Sequence, residues 1–194
     1  MAKISFLQPP FCLHCGLPLA KPGLCWHCQQ SESYLEGLRS VVWHVSPLQE
    51  AVHALKYEGV RVLAAPLGEL LAQRWVQDSL PVEVIVPVPL YRLRLRQRGY
   101  NQALLLAREL AARLSLPLCA GVLQRVRNTR SQVGLSRRER WENVWGAFQC
   151  SADAFAGAKV LLVDDVCTTG ATLEASAAAL REAGARSVWA LTLA

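Results

Sequence analysis

None of the apolar runs in this chain of 194 residues approaches the ~20 residues needed to span a bilayer. The N-terminus also lacks the basic stretch and apolar core of a signal peptide. No membrane insertion and a cytoplasmic location are therefore expected. The chain has no internal repeat and no low-complexity segment, which excludes solenoids and long disordered linkers. Nothing calls for a second large domain, since the length suits one α/β domain with a small appendage and allows a substantial core. Seven cysteines are present, but in a cytosolic chain they argue against a disulfide framework.

Four of those cysteines, Cys12, Cys15, Cys25 and Cys28, form two C-x-x-C pairs. Each pair reaches one ion through a tight knuckle, and two pairs close a tetrahedral thiolate site suited to structural zinc. The short spacer predicts a compact zinc ribbon over residues 1–31, with Gly16 supplying the permissive backbone of a knuckle turn. The segment has too little apolar periodicity to fold without its metal. A redox dithiol is the alternative, but such sites carry one C-x-x-C within a βαβ unit. His14 and His27 lie inside the knuckles, either as replacement ligands or outside the first coordination sphere. Cys119, Cys150 and Cys167 are expected to be unrelated to the metal.

The organising stretch is Val160-Leu161-Leu162-Val163-Asp164-Asp165-Val166-Cys167-Thr168-Thr169-Gly170-Ala171-Thr172. A β-branched apolar run predicts a buried strand, and the apolar periodicity from Leu173 to Ala183 predicts a helix after the Thr/Gly loop. At such a junction loop and first-turn N–H groups converge, and the helix dipole favours an anion such as phosphate. Thr168, Thr169 and Thr172 add hydroxyl donors, and Gly170 lets backbone approach a ligand. Cys167, inside this loop, is a candidate reactive thiol. Two carboxylates repel a simple phosphate but suit a sugar phosphate, whose ribose hydroxyls donate to them. The competing reading has Asp164 and Asp165 capping the helix, although one carboxylate suffices for that.

Charge is unevenly placed. Between Arg92 and Arg140 stand twelve arginines against Glu109 and Glu139, a local +10 in a chain of net charge +6, which leaves −4 elsewhere. Scattered arginines would read as a solvated surface; clustered in two loop-like stretches, they point to an anionic partner, either a pyrophosphate ester or a nucleic-acid backbone.

In chain order, Glu32 to Arg39 reads as a connector and Val41 to Val45 as a strand. Ser46-Pro47-Leu48-Gln49 has the form of a capping box opening a helix to about Tyr57, with Gly59 after its end. A helix over Leu63 to Val76 and a strand over Val82 to Val86 follow. The prolines of Pro87-Val88-Pro89-Leu90 stop that strand, and the arginines from Arg92 to Arg98 are compatible with extended or helical backbone. Asn101 to Ser115 predicts an amphipathic helix, Val122 to Val126 a strand, and Ser136-Arg137-Arg138-Glu139 a capping box before a short helix through Val144. Lys159 to Val163 and Ser187 to Leu193 are the last strands. Alternating strands and helices imply a mainly parallel sheet with helices on both faces, whose ligands bind at the carboxyl ends of the strands. The loop after Val86, the basic loop after Val126 and the Asp-Asp loop are expected to meet there.

The Asp164 to Thr172 run resembles the signature of type I phosphoribosyltransferases, whose ligand is 5-phosphoribosyl-1-pyrophosphate (PRPP). With the paired cysteines, Leu55-Lys56-Tyr57, Pro87 to Leu90, Arg98-Gly99-Tyr100-Asn101-Gln102 and the Gln132 to Asn143 stretch, nearly the whole chain resembles the ComF family. That family joins a zinc ribbon to a type I phosphoribosyltransferase domain, here 40–194. The resemblance implies that Asp164 and Asp165 form the catalytic pair holding the ribose hydroxyls. It also implies that Val166, Cys167, Thr168, Thr169, Gly170, Ala171 and Thr172 hold the 5′-phosphate. Lys56, Pro89, Leu90, Arg98 and Arg140 are then candidates for the pyrophosphate side, with Arg127 to Arg140 as the closing loop. Magnesium would accompany PRPP, and the role implied is in natural transformation or use of external DNA. No base-recognition hood is identifiable, so the acceptor is open.

Three readings follow: a phosphoribosyltransferase, a PRPP-binding sensor without turnover, and a single-stranded-DNA-binding accessory protein. In the last, Trp141 and Trp145 would stack on bases, although their i, i+4 spacing suits packing better.

Overall fold

The computed structural model describes residues 4–130, 134 and 136–194, with no statement possible for the Arg137 side chain. Its centre is β5 (Lys159–Asp164), whose residues Val160 to Val163 are fully buried. Burial on both faces explains the unbroken apolar run. The side chains alternate as a strand requires. Val160 and Leu162 join a cluster with Leu173, Ala177 and Leu180, while Leu161 and Val163 join another with Leu67, Leu71, Leu106 and Leu110.

The main sheet runs β1-β6-β5-β2, with β1 at Gly37–Ser40, β2 at Val84–Pro87 and β6 at Ser187–Thr192. All its pairs are parallel. One face carries α7 (Ala171–Glu182); the other carries α2 (Leu48–Tyr57), α3 (Ala64–Asp78) and α5 (Gln102–Leu114). The register sets Pro87 beside Val163, and Thr192 beside both Asp164 and Ser40, so the carboxyl ends lie level. Remaining helices are α1 (Trp26–Gln30) in the cysteine region, α4 (Arg92–Arg98) and α6 (Arg137–Val144). The α/β class with a mainly parallel, helix-flanked sheet is the one expected.

Several local expectations are corrected. The first sheet strand is Gly37–Ser40, not Val41 to Val45. Its mixed composition hides a buried strand because Gly37 lies under the Trp189 ring, where a Cβ would come within 2.5 Å of the indole. The Ser46 capping box does not form: Ser46 Oγ donates to Glu50 Oε1 (2.6 Å), and the Gln49 N–H donates to Val45 O (3.1 Å). The strand near Val122 to Val126 is β3 (Leu123–Arg125), which leaves the parallel sheet and pairs antiparallel with β4 (Phe148–Cys150). Three-residue strands carry too little pattern to reveal a partner. By contrast, Gly59 (φ 75°) follows α2 in the left-handed conformation, and Ser136 with Glu139 forms the full capping box of α6. The arginine run is resolved as helix α4, ended by Gly99 at φ 79°. Of the basic loop, residues 131–133 and 135, Gln132 among them, lie outside the described residues.

Small residues Ala64, Gly68 and Ala72 on α3 let α5 approach closely, and a Cβ on Gly68 would stand 2.4 Å from Glu109 Cβ. Gly68→Val should therefore push the helices apart and cost about 1–3 kcal/mol, as overpacking does. Denaturant melts would register this as a lowered midpoint; an unchanged midpoint would contradict the close packing.

Candidate functional site

β5 delivers Asp164 to the carboxyl edge, the chain turns through residues 165–170, and α7 begins at Ala171. Gly170 (φ 79°) is the N-cap, and as a glycine it makes no side-chain cap bond, so neither Asp164 nor Asp165 occupies the cap position and the first turn of α7 opens toward the loop. This rules out the capping reading of the carboxylates. Asp164 and residues 166–173 surround a recess of about 40 Å³. Thr169 Oγ1 is buried there without a hydrogen-bond partner, and a buried hydroxyl left unpaired is costly unless a ligand answers it.

The two carboxylates are not equivalent. Asp165 is buried, with Oδ1 3.0 Å from Lys56 Nζ at the end of α2 and Oδ2 lacking any partner. Asp164 accepts the Asp165 N–H at 2.9 Å and lines the recess. Burial, reinforced by the neighbouring Asp165 charge, pushes the Asp164 carboxyl up to about 7, against the opposing pull of Lys56, the Asp165 N–H and Arg125. A carboxyl raised in this way suits a group awaiting hydroxyl or cation partners.

Basic side chains reach this edge from separate elements. Arg140 on α6 donates to Thr168 Oγ1 (2.8 Å), which ties α6 to the Asp-Asp loop. Arg98 stacks its guanidinium over the Tyr57 ring (5.2 Å), next to Lys56 in the chain, and donates to Gln102 Oε1 (2.5 Å). Val88 is held to β5 through its N–H to Val163 O (2.9 Å), whereas Pro89 and Leu90 line a separate, larger cavity. The helical run leaves Arg92 and Arg96 exposed and Arg94 half-buried.

Arg125 was not singled out from the sequence. It lies on β3 over the Phe148 ring (5.3 Å), donates to Thr129 Oγ1, and has a buried Nε without a partner. Burial lowers its pKa, as does the nearby charge of Arg94, while the charge of Asp164 opposes both. A single arginine in a short strand gives no pattern to read. The expected reactivity of Cys167 is corrected: burial pushes its thiol up to about 12, far from a thiolate at neutral pH. Trp141 packs partly buried against the core, while Trp145 is exposed and meets Tyr34 at 5.9 Å.

The four N-terminal cysteines converge, with all sulfurs within 4.8 Å of one another and Cys15 Sγ 3.8 Å from Cys25 Sγ. Metal–thiolate bonds of about 2.3 Å in a tetrahedron place sulfurs about 3.8 Å apart, so the set fits a metal ion. Burial alone would raise the Cys12 thiol, but backbone N–H groups of Cys25, Cys15 and His14 bring it to about 6. Neither His14 nor His27 belongs to the cluster among the described residues.

A profile described as Phosphoribosyl transferase domain matches residues 101–194, which include the whole Asp-Asp loop. Competence protein F of Haemophilus influenzae is 36% identical over 94% of this chain and 84% of its own. The chain belongs to the ComF family. Within the family, DNA utilization protein YhgH of Salmonella typhimurium is 38% identical over 93% of this chain and 82% of its own. Competence protein ComFC of Bacillus subtilis is 27% identical over 99% and 80%. No helix among the described residues is long and apolar enough to cross a membrane.

The Asp164 shift has a testable sign. A carboxyl raised from 3.8 to about 7 makes the folded state hold a proton that the unfolded state has released. Stability contributed by this group is therefore lost as pH rises from about 4 to about 7. Asp164→Asn should raise the melting temperature most above pH 7 and hardly at pH 4. A gain that is equal at both values would show that Asp164 titrates normally.

Proposed function

We propose that this protein binds PRPP at the Asp164–Thr172 loop and transfers its phosphoribosyl group to an acceptor not yet identified. The observation that carries the reading is the pairing of an uncapped helix N-terminus and a buried, unpartnered Thr169 hydroxyl with a carboxyl at the end of the same strand. That combination answers a 5′-phosphate and ribose hydroxyls at once.

In this reading the phosphate rests on the first-turn N–H groups of α7 and the threonine hydroxyls. Asp164 accepts from ribose hydroxyls, and Asp165 acts chiefly through Lys56, whose ammonium it holds at 3.0 Å. Breaking the bond from ribose C1 to pyrophosphate develops positive charge on the sugar and negative charge on the leaving group. Asp164 stabilises the first, while Lys56, Arg98, Arg125 and Arg140 neutralise the second. The Arg140–Thr168 contact sets α6 beside the loop, which helps to exclude water. Magnesium bound with PRPP supplies further neutralisation of the pyrophosphate, with Asp164 the carboxylate at hand to hold it.

The curated relatives are named for competence and DNA utilization, and by descent we extend to this chain a role in taking up or using external DNA, in the cytoplasm. The proposed organisation is a zinc ribbon over 1–31 and a phosphoribosyltransferase body over 40–194. All-thiolate tetrahedral ligation favours zinc over harder ions.

PRPP titrations with magnesium, pyrophosphate release with candidate bases, and single-stranded-DNA binding across a salt series test the reading together. Asp164→Asn and Arg98→Ala should each weaken PRPP binding by about tenfold or more, the scale of one charge-assisted hydrogen bond, with smaller effects on DNA. Unchanged PRPP affinity in both variants, with DNA affinity lowered stepwise by each arginine removed, would favour the DNA-binding accessory role instead.

Metal analysis of protein purified under reducing conditions should find one zinc per chain, and chelation should unfold the ribbon while leaving most of the sheet signal in circular dichroism. Protein free of zinc under those conditions would overturn the assignment.

A further inference from the structure

A second cavity, of about 450 Å³ and so larger than the Asp-Asp recess, shares no residue with it. It opens between the loop after β2, the end of α4, one side of α5 and residues 120–123. Its volume falls in the range of small-molecule sites, roughly 300–1,000 Å³. Leu90, Leu95, Leu104, Leu105 and Leu123 supply apolar walls, which suit a hydrocarbon or ring surface and not a pyrophosphate.

The charged groups on its lining are two guanidiniums, Arg61 and Arg108, with no carboxylate among the lining residues. Neither arginine makes an ion pair among the described residues. The Arg61 guanidinium carbon lies over the Tyr100 ring at 4.4 Å from its centroid, and that ring is itself fixed by its hydroxyl donating to Leu55 O. Asn101 contributes little to a ligand, because Oδ1 accepts the Ala103 N–H (3.0 Å) and Nδ2 donates to Val88 O (2.9 Å). What remains is an apolar slot with a pre-positioned cationic plane at one side. That is the complement of a flat apolar ring carrying one anionic group.

We propose that this cavity is a second small-molecule site, for an aromatic ligand bearing a single carboxylate, sulfonate or phosphate. The ring packs among the leucines and the anion meets Arg61 and Arg108. Pro89 and Leu90 form part of its wall, and their neighbour Val88 is hydrogen-bonded to β5, so an occupant sits beside the phosphoribosyl site without using its loop. The proposal does not depend on PRPP binding.

The test uses the full zinc-loaded chain and the fluorescent probe 8-anilinonaphthalene-1-sulfonate, titrated without PRPP. One saturable site per chain is expected, weakened about tenfold or more in Arg108→Glu by loss and reversal of the charge contact, and blocked in Leu104→Trp, which fills the slot. Arg108 is exposed, so its variant decides the matter if Leu104→Trp fails to fold. Displacement of the probe by a nucleoside 5′-monophosphate assigns the site to nucleotides, and displacement by 1-naphthoate but not the nucleotide assigns it to aromatic acids. Absence of a saturable site, an Arg108→Glu affinity equal to wild type, displacement by neither competitor, or exclusion of the probe by a second copy of the chain in a stable dimer would each overturn the proposal.

Discussion

A strand buried on both faces that ends in two consecutive carboxylates places negative charge at the edge of the core, and the arrangement of the site follows from how that charge is answered. The Lys56 ammonium reaches Asp165 from the end of α2, a helix more than 100 residues away in the chain. That pair neutralises the more deeply buried carboxylate and leaves Asp164 facing the recess. Removing one partner of such a buried pair would strand the other charge, which is why α2 and the β5 edge behave as a unit. Arg125 bears on Asp164 from the opposite side, on the small antiparallel β3–β4 ribbon. The adjacent carboxylates are thus answered by cations from different elements, Asp165 by Lys56 and Asp164 by the field of Arg125.

A second ionic cluster joins the cysteine region to the body. Arg39 on β1 and Arg74 on α3 are both buried and share Asp78, at 3.6 and 2.7 Å. Both also lie over the Phe11 ring, at 5.3 and 4.7 Å. Arg39 donates to Leu13 O (3.0 Å) inside the first knuckle, and the Leu38 N–H donates to His14 O (2.6 Å). The knuckle backbone therefore supplies acceptors that the edge strand of the sheet would otherwise lack. Residues ahead of the cysteines are attached as well: the Leu7 N–H donates to Val41 O and the Trp43 N–H to Ser5 O, each at 2.9 Å. The four-cysteine cluster is held on the sheet edge by backbone hydrogen bonds and buried charge, as well as through its connector.

Long, strongly patterned segments were legible from residues alone. Val160 to Val163 announced a central strand because burial on both faces demands an unbroken apolar run, and the C-x-x-C pairs announced a four-thiol cluster because their spacing is local. Ser136 with Glu139 declared the α6 cap for the same reason, since both partners lie within one turn. β1 was misplaced because its burial depends on Trp189 lying over Gly37, a contact across 152 positions that no local pattern encodes. The Ser46 capping box failed because the Gln49 N–H went to the Val45 carbonyl while the Ser46 hydroxyl turned to Glu50, a choice that composition does not make.

Sequence by itself determined the α/β class, the four-cysteine cluster and the strand–loop–helix junction after Asp164 and Asp165, because each is written in residues adjacent in the chain. Tertiary structure alone decided that Asp164 and Asp165 differ, that Lys56 and Arg125 are the cations that answer them, and that a larger apolar cavity lies beside the loop after β2. Those properties arise from burial and from charges brought together across distant positions, and both come into being only when the sheet and its helices close around them.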